Sequence, residues 1–268
     1  MLAVSYLFVP ATRCERVAKA VAAGAQAVIV DLEDAVDPGQ KSEARLQLAR
    51  YLPTLDKAIK PWLRINALGT PWFDEDLALV DEAGVQLAGI MLPKTESPDD
   101  LAAVQARTGL PLIALVESAR GIARLDAIGR QPGLQRMAFG SADLARDLGC
   151  EDSWDTLVHA RQAMVLHSAA CGLPAPIDGV SFVLDQAEPV RADAARAARH
   201  GFGAKLCIHP AQIGPTHEGF APTPVQLEWA QTVLAAAGEG SGAQRLQGLM
   251  IDRPVIERAI QILARQTS

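Results

Sequence analysis

Polar and charged side chains concentrate at the C-terminal ends of short apolar runs in this sequence. This placement is informative because the C-terminal ends of the strands of a β/α barrel converge on one mouth, where active sites lie. Charges distributed only for solubility would not favour one end of most strands. The residues concerned are Asp31, Glu33, Arg64, Asn66, Lys94, Glu117, Ser141, Asp143 and His209.

Two of these carboxylates could share a divalent cation. Glu117 and Asp143 follow consecutive apolar runs, so we expect them at the ends of neighbouring strands. Several carboxylates in one partly dry pocket cannot all ionise without a cation. Two carboxylate ligands suit Mg²⁺, which usually keeps several waters and takes further oxygen ligands from the substrate. The pattern therefore predicts a Mg²⁺ site formed by Glu117 and Asp143.

Both carboxylates also have a purely structural interpretation. Glu117 could be a strand-end acid paired with Arg120 or Arg124. Asp143 could cap the helix that begins after Gly140.

The remaining strand-end residues carry similar alternatives. Arg64 could be a buried structural partner of Glu33, and Lys94 and Lys205 are expected to be solvated or structural. His209 is expected to be a hydrogen-bonded histidine of the core or mouth, in preference to a metal ligand.

The elements that must position these side chains alternate regularly. Nearly all-apolar runs, typical of parallel strands covered on both faces, alternate with amphipathic helical patterns. Eight such alternations predict an α/β fold, a (β/α)₈ TIM barrel, with a doubly wound open sheet as the alternative. The predicted strands span residues 4–9, 27–33, 62–66, 88–92, 112–117, 136–140, 179–183 and 204–209.

Length and composition fit one large domain. The chain has 268 residues, of which 49% are apolar, and a β/α barrel needs about 250. No apolar stretch approaches the roughly 20 residues of a membrane span, and the N-terminal segment has no basic leader, so we expect a cytoplasmic protein with no membrane partner. The net charge of −6 without basic runs disfavours nucleic acid, and four scattered cysteines indicate reduced thiols.

The chain continues past the eighth predicted strand. We expect the barrel to occupy residues 1–214, followed by a Pro/Gly loop over 214–224. A helical extension over 215–268 is expected to pack against the barrel or a neighbouring subunit. Near its end, Asp252 precedes Arg253 and Pro254, which is typical of a helix cap with proline in the first turn.

The motifs together resemble a known family. In order along the chain they read SYLFVPATR, DLEDAV, LRIN, LPKTES, VESARGI, GSADL, IHPAQI and MIDRP. Together these motifs are similar to the citrate lyase beta subunit-like branch of the HpcH/HpaI aldolase superfamily. The resemblance extends from the first predicted strand to the final predicted helix.

The resemblance implies a Mg²⁺-dependent enzyme that acts on 3-hydroxyacyl thioesters of the citryl, malyl or citramalyl type. Such an enzyme breaks or forms a carbon–carbon bond between a 2-oxo acid, such as oxaloacetate, and an acyl thioester. The carrier is left open between coenzyme A and an acyl-carrier protein.

Roles are carried over residue by residue. Glu117 and Asp143 match the metal ligands, and Arg64 matches the arginine that holds substrate oxygens. Glu33 matches the acidic residue that positions that arginine or assists proton transfer. Asp252 matches an aspartate that acts in proton transfer from a neighbouring subunit of a trimer, so the resemblance also implies a homotrimer.

A second substrate contact is predicted at a helix start. The backbone N–H groups of Ser141, Ala142 and Asp143 are expected to open the helix after the sixth strand. Because helix N-termini bind anions, these groups are predicted to bind a substrate carboxylate oxygen.

Two departures from the family pattern leave open an altered thioester-binding rim. The first loop reads PATR where family members commonly have PGDR, and the seventh predicted strand, DGVSFVLD, is less typical. The altered first loop also leaves open a largely non-catalytic subunit that binds a partner. Two further alternatives do not depend on these departures: a Schiff-base aldolase with Lys94 or Lys205 as nucleophile, and a metal-dependent aldolase acting on free hydroxy-oxo acids.

Overall fold

Eight parallel strands close into a barrel. The structure is a computed structural model that describes residues 2–82, 86–237, 244–246 and 249–266. Each strand pairs with the next along the chain, and the first pairs with the eighth. This last pairing confirms the predicted (β/α)₈ barrel and excludes an open sheet.

The barrel strands and the surrounding helices alternate along the chain. The strands are β1 (Ser5–Pro10), β2 (Ala27–Asp31), β3 (Trp62–Arg64), β4 (Gly89–Leu92), β5 (Leu112–Val116), β6 (Leu134–Phe139), β7 (Ile177–Asp178) and β8 (Ala204–Cys207). The helices are α1 (Val17–Ala22), α2 (Lys41–Tyr51), α3 (Phe73–Glu82), α4 (Pro98–Thr108), α5 (Ala119–Ile122), α6 (Leu125–Gly129), α7 (Ser141–Leu148), α8 (Trp154–Ala170), α9 (Ala187–Arg199) and α10 (Ile213–Phe220).

The interior of the barrel is filled by apolar side chains from all eight strands. Strand residues alternate between the interior and the helix layer, so residues two apart share a face. Ile29 and the pair Ile113 and Leu115 belong to this interior cluster. Asp31 and Glu117, two residues further along their chains, therefore leave the core at its C-terminal end, as their position in the sequence predicts.

The seventh strand lies earlier than its apolar run predicts. The prediction of 179–183 is wrong, because β7 is Ile177–Asp178 and pairs through Ile177 with Ala138 and Ala204. The sequence pattern did not indicate this strand because Asp178 is one of its two residues, and a fully buried carboxylate is uncommon. The apolar segment that follows lies outside the sheet, with Phe182 exposed.

Asp178 belongs to a buried ion cluster between the sheet and the helices. Its carboxylate lies 3.0 Å from Lys205 Nζ and 3.0 Å from Arg161 Nε, and Lys205 Nζ also lies 2.7 Å from Asp193. Burial opposes ionisation, yet Lys205 and Arg161 hold the pKa of Asp178 below its usual value. Lys205 alternates with the interior residues Ala204 and Leu206, so it faces the helix layer. This supports its structural interpretation.

A helix follows the eighth strand where a loop was predicted. The predicted Pro/Gly loop over 214–224 is wrong for its first part, because α10 spans Ile213–Phe220. Pro215 is the third residue of α10, in the first turn, where no helical N–H bond is needed. Ile213 and Thr216, three residues apart, are buried. Because Gly219 has no side chain, α10 can approach Ala194 on α9 closely. A Cβ at position 219 would lie 2.5 Å from the Ala194 Cβ.

The chain forms two compact units. The barrel unit is Ala3–Gly219, and the second contains Leu2 and the described residues from Phe220 onward. The second unit holds α11 (Pro224–Ala237), an antiparallel pair of strands, β9 (Gln244–Leu246) and β10 (Leu249–Ile251), and α12 (Arg253–Gln266). The predicted division at 214/215 and the packing of the extension against a barrel or a subunit stay predictions. Among the described helices, none combines the length and apolarity that a membrane crossing requires.

Two glycines of α10 give a matched test of the close approach to α9. Gly219→Ala places a methyl group 2.5 Å from the Ala194 side chain and 2.6 Å from the Arg191 carbonyl oxygen. We expect a loss of roughly 1–3 kcal/mol in the free energy of unfolding, as for other overpacked sites. Gly214→Ala meets nothing within 4 Å, so it should leave stability unchanged or raise it by up to about 1 kcal/mol. Urea unfolding measures both, and equal effects would contradict the packing.

Candidate active site

Five charged side chains meet at the C-terminal mouth of the barrel. Glu33 follows β2, Arg64 ends β3, Lys94 follows β4, Glu117 follows β5, and Asp143 lies in the first turn of α7 after β6. Ion pairs link them into one cluster through Lys94 and Glu33. All five were predicted at the C-terminal ends of strands, and the structure brings them together.

Arg64 is fixed by its neighbour on the adjacent strand. Arg64 and Asp31 are register partners of β3 and β2. Arg64 donates from Nε to Asp31 Oδ1 at 2.7 Å and from Nη2 to Oδ2 at 2.5 Å, a bidentate pair. The Phe8 ring lies 4.6 Å from its guanidinium carbon. Burial opposes the charge, but Asp31 and Glu33 raise the pKa of Arg64 above its usual value, so Arg64 stays a cation.

Glu33 lies between two cations. Its Oε2 is 3.0 Å from Arg64 Nη1, an ion contact without the alignment of a hydrogen bond, and its Oε1 accepts a hydrogen bond from Lys94 Nζ. Burial raises the pKa of Glu33, and Arg64 and Lys94 oppose that rise. Arg64 thus pairs with Glu33, as its structural interpretation expects, but its bidentate partner is Asp31.

Lys94 lies at the mouth, as its position just past the fourth predicted strand indicated, but its contacts there were not predicted. It was expected to be solvated or structural, yet its Nζ contacts Glu33 and lies 4.0 Å from Glu117 Oε1 and 3.9 Å from Asp143 Oδ2. Among the described residues it alone combines a side chain with a positive φ, of 50°. The sequence carries no signal for this conformation, because lysine rarely adopts it. It arises from tertiary contacts.

Glu117 is buried against the backbone of its neighbours. It is 6% exposed, and its Oε1 accepts a hydrogen bond from the Lys94 N–H at 2.8 Å. Gly140 leaves room for it, because a Cβ at that position would lie 2.5 Å from Glu117 Oε2. Burial first, then the charge of Glu33, raises the pKa of Glu117 to about 8, and Asp143 adds to the rise. The alternative interpretation, a pairing of Glu117 with Arg120 or Arg124, is wrong: Arg120 contacts Glu96, and among the described residues the ion-pair partner of Glu117 is Lys94.

Asp143 faces the same space from the start of α7. Its Oδ1 lies 2.9 Å from Arg146 Nη2, one turn along the helix, while Oδ2 is the oxygen near Lys94. The N-cap of α7 is Gly140, without a side-chain cap, so the cap interpretation of Asp143 is wrong. The predicted helix start at Ser141, Ala142 and Asp143 is present, although the Ser141 hydroxyl is engaged with Asp152 at 3.1 Å.

The donor set of the mouth fits a magnesium ion held by two protein carboxylates. Among the described residues, no group of three or more His, Cys, Asp or Glu side chains is arranged to hold a metal. An all-protein cage is therefore absent from the described part of the chain. Glu117 and Asp143 share one cationic neighbour within 4.0 Å, and magnesium commonly takes one or two carboxylates, with water and substrate completing its shell.

A buried lysine, Lys41, holds the loop that contains Glu33 by hydrogen bonds. Lys41 Nζ donates to the carbonyl oxygens of Leu32 at 2.8 Å and Glu33 at 2.9 Å, and to Asn66 Oδ1 at 2.6 Å. Asn66 in turn donates from Nδ2 to Asp76 at 2.6 Å. This network ties the ends of β2 and β3 to α2 and α3. Of its members only Asn66 stands at a strand end, so the sequence alone did not indicate the network.

Two further predicted residues each make a local hydrogen bond to the backbone of a following turn. His209 caps the turn after β8, where its Nδ1 accepts from the Ala211 N–H at 3.2 Å, and it is exposed. It also lines a cavity of about 780 Å³ together with Phe182 and Leu184, from the atypical segment after β7. Asp252 belongs to the second unit, and its Oδ1 accepts from the Val255 N–H at 3.2 Å at the start of α12. Its cap interpretation is confirmed.

Comparison with known proteins agrees with this geometry. The model of the HpcH/HpaI aldolase/citrate lyase family matches residues 4–210. A citrate lyase subunit beta-like protein of Deinococcus radiodurans is 32% identical, over 98% of this chain and 96% of the relative. The mitochondrial citramalyl-CoA lyase of Rattus norvegicus is 32% identical (98% and 85%), and a (3S)-malyl-CoA thioesterase of Cereibacter sphaeroides is 34% identical (98% and 92%).

A solved structure is similar to this chain over nearly its full length. The crystal structure of the CitE protein of Mycobacterium tuberculosis, in complex with magnesium, acetoacetate and coenzyme A, is 36% identical. It superposes with a TM-score of 0.89 over 99% of this chain and 98% of that one. The matched barrel, the likeness over nearly the full length and the order of the motifs lead to one conclusion: this chain belongs to the HpcH/HpaI aldolase/citrate lyase family.

Proposed function

We propose that this protein is a Mg²⁺-dependent carbon–carbon lyase. It would cleave or form a 3-hydroxyacyl thioester of the citryl-, malyl- or citramalyl-CoA type, giving a 2-oxo acid and an acyl thioester. The observation that carries the proposal is the convergence of Glu117 and Asp143 around one position at the barrel mouth, beside the fixed cation Arg64. The relatives named for lyase activity and the neighbour solved with magnesium and coenzyme A support it.

Glu117 and Asp143 would hold the ion in this proposal. When bound, Mg²⁺ supplies a positive charge that polarises the substrate hydroxyl and carboxylate oxygens. A buried carboxylate with a raised pKa, as at Glu117, is a group whose ionisation a neighbouring cation strongly favours.

Arg64 would bind a substrate carboxylate or the oxygen on which negative charge develops. Asp31 takes two of its five N–H groups and fixes the plane of the guanidinium. Further N–H groups on Nη1 and Nη2 are left for the ligand, in an orientation set before the substrate arrives. Such preorganised donors stabilise developing charge without reorganising during the reaction. Glu33 positions Arg64 and Lys94 by pairing with both.

Two further roles complete the proposal. The backbone N–H groups of Ser141, Ala142 and Asp143, at the start of α7, would receive a substrate carboxylate oxygen. Asp252 would act in proton transfer to the thioester enolate carbon of a neighbouring copy in a homotrimer. Asp252 is exposed; its Oδ1 caps α12, and no described residue donates a hydrogen bond to its Oδ2.

The site geometry weakens the Schiff-base alternative. Lys205 faces the helix layer in the Asp178 ion cluster, away from the interior of the barrel. Lys94 lies at the mouth but is paired with Glu33 and has two further carboxylates within 4.0 Å. An amine must be unprotonated to attack a carbonyl, and this set of partners favours the ammonium form.

A substrate panel tests the reaction class. With citryl-, malyl- and citramalyl-CoA we expect Mg²⁺-dependent release of a 2-oxo acid, measured by coupled reduction, and no activity after EDTA treatment. Thioester hydrolysis, as in the thioesterase relative, would instead release free CoA thiol without a 2-oxo acid. Cleavage of the free acids alone would favour a free-acid aldolase, and trapping by borohydride a Schiff base. Inactivity with every ester, together with binding of a partner protein, would favour a non-catalytic subunit.

Substitution of the carboxylate pair tests the metal ligands. Glu117→Gln and Asp143→Asn each remove a hard anionic ligand, so we expect kcat/KM to fall at least about 100-fold, as on loss of a transition-state charge contact. Mg²⁺ affinity, measured by calorimetry, should fall in parallel. Asp155→Asn, which removes an exposed carboxylate that pairs with Arg196, is the control. Wild-type turnover in the double variant would contradict the assignment.

Lys41 is expected to affect turnover by holding the Glu33 backbone in position. Lys41→Met removes three hydrogen bonds, two of them to the backbone of Leu32 and Glu33. We expect kcat to fall roughly 10- to 100-fold with KM little changed, because small displacements of catalytic groups are costly. Kinetics should be measured well below the unfolding temperature. A purely structural role predicts lost stability with normal kcat in the folded fraction, and that result would refute the positioning role.

A further inference from the structure

We propose that Lys94 is a built-in counter-ion of Glu117 and Asp143 that stabilises the free carboxylate pair and competes with the divalent cation for it. The protein would therefore bind Mg²⁺ more weakly than the same pair would without the lysine. This inference rests on the proposed function, because it assumes that the pair holds an ion. It adds a property of the site, a metal affinity limited by a residue of the chain itself.

The position of the ammonium group carries the inference. Lys94 Nζ lies 4.0 Å from Glu117 Oε1 and 3.9 Å from Asp143 Oδ2, and it donates a hydrogen bond to Glu33 Oε1. One monovalent cation thus faces three carboxylates, including both proposed metal ligands. A divalent ion held by those two ligands would lie within a few ångströms of the ammonium.

The backbone holds Lys94 in this position. Its φ of 50° turns the chain after β4, and its own N–H donates to Glu117 Oε1 at 2.8 Å. The same carboxylate oxygen is therefore contacted by the main chain and faced by the ammonium of one residue. A residue with a side chain persists in this conformation only where its surroundings stabilise it. The contacts with Glu117 and Glu33 supply that stabilisation.

The charges predict two effects of opposite sign. Without Lys94, the carboxylates of Glu33, Glu117 and Asp143 repel one another with less compensation, so the metal-free protein should be less stable. A bound divalent ion would no longer be repelled by the ammonium, so its affinity should rise. Like charges about 4 Å apart near a protein surface interact strongly enough to change an affinity by about tenfold or more. A residue with only a packing role would not raise the affinity for a cation.

The test compares Lys94→Met with Lys94→Arg, which keeps the positive charge, and with Lys57→Met, which removes an exposed lysine. Calorimetric titration with MgCl₂ gives the affinity, and thermal unfolding in EDTA gives the stability of the metal-free protein. We expect Lys94→Met to bind Mg²⁺ at least about tenfold more tightly and to unfold at a lower temperature in EDTA. The two control variants should keep the wild-type affinity.

The outcomes separate this inference from the proposed function. If the wild-type protein binds Mg²⁺ and Lys94→Met binds it equally or more weakly, the counter-ion role is wrong while the lyase proposal stands. If no variant binds Mg²⁺, both fail. If Lys94→Met does not fold in EDTA, Lys94→Gln, prepared with Mg²⁺ and then dialysed, gives the same comparison of affinities. An unchanged affinity in that variant also overturns the inference.

Discussion

The accumulation of negative charge at one end of the barrel is the constraint on which the site depends. Asp31, Glu33, Glu117 and Asp143 converge there, and the first three are almost completely buried. Buried carboxylates persist only when cations or hydrogen bonds compensate them. Arg64 neutralises one side of the cluster through its bidentate pair, and Arg146 pairs with Asp143. Among the described side chains, the Lys94 ammonium is the one cation that faces Glu33, Glu117 and Asp143 together. This excess of negative charge is the physical basis of the proposal that the site binds a further cation.

The barrel holds these charged side chains in fixed positions. Strand register places Asp31 beside Arg64, and the absence of a side chain at Gly140 makes room for the carboxylate of Glu117. Below the mouth, Lys41 and Asn66 bind the turns that follow β2 and β3. The polar groups beneath the site are thus hydrogen-bonded to one another, which is what rigid placement of catalytic groups requires.

Sequence patterns were reliable where the physics is local or strictly periodic. Apolar runs with polar C-terminal ends predicted the barrel and placed Glu33, Arg64 and Glu117 at one mouth, because side-chain alternation and parallel pairing follow from backbone geometry. The patterns failed at β7, whose second residue is the buried Asp178, and at α10, where Pro215 was taken for a loop signal. In both places a long-range contact overrides the local preference.

The sequence by itself therefore determined the family, the barrel and the set of acidic and basic residues at its mouth. Only the tertiary structure decided which of them pair. Asp31, not Glu33, is the bidentate partner of Arg64, and Lys94 adopts a positive φ that places its ammonium among three carboxylates. These contacts join residues that lie 23 to 61 positions apart along the chain. Their free energies depend on distances that exist only once the barrel has closed.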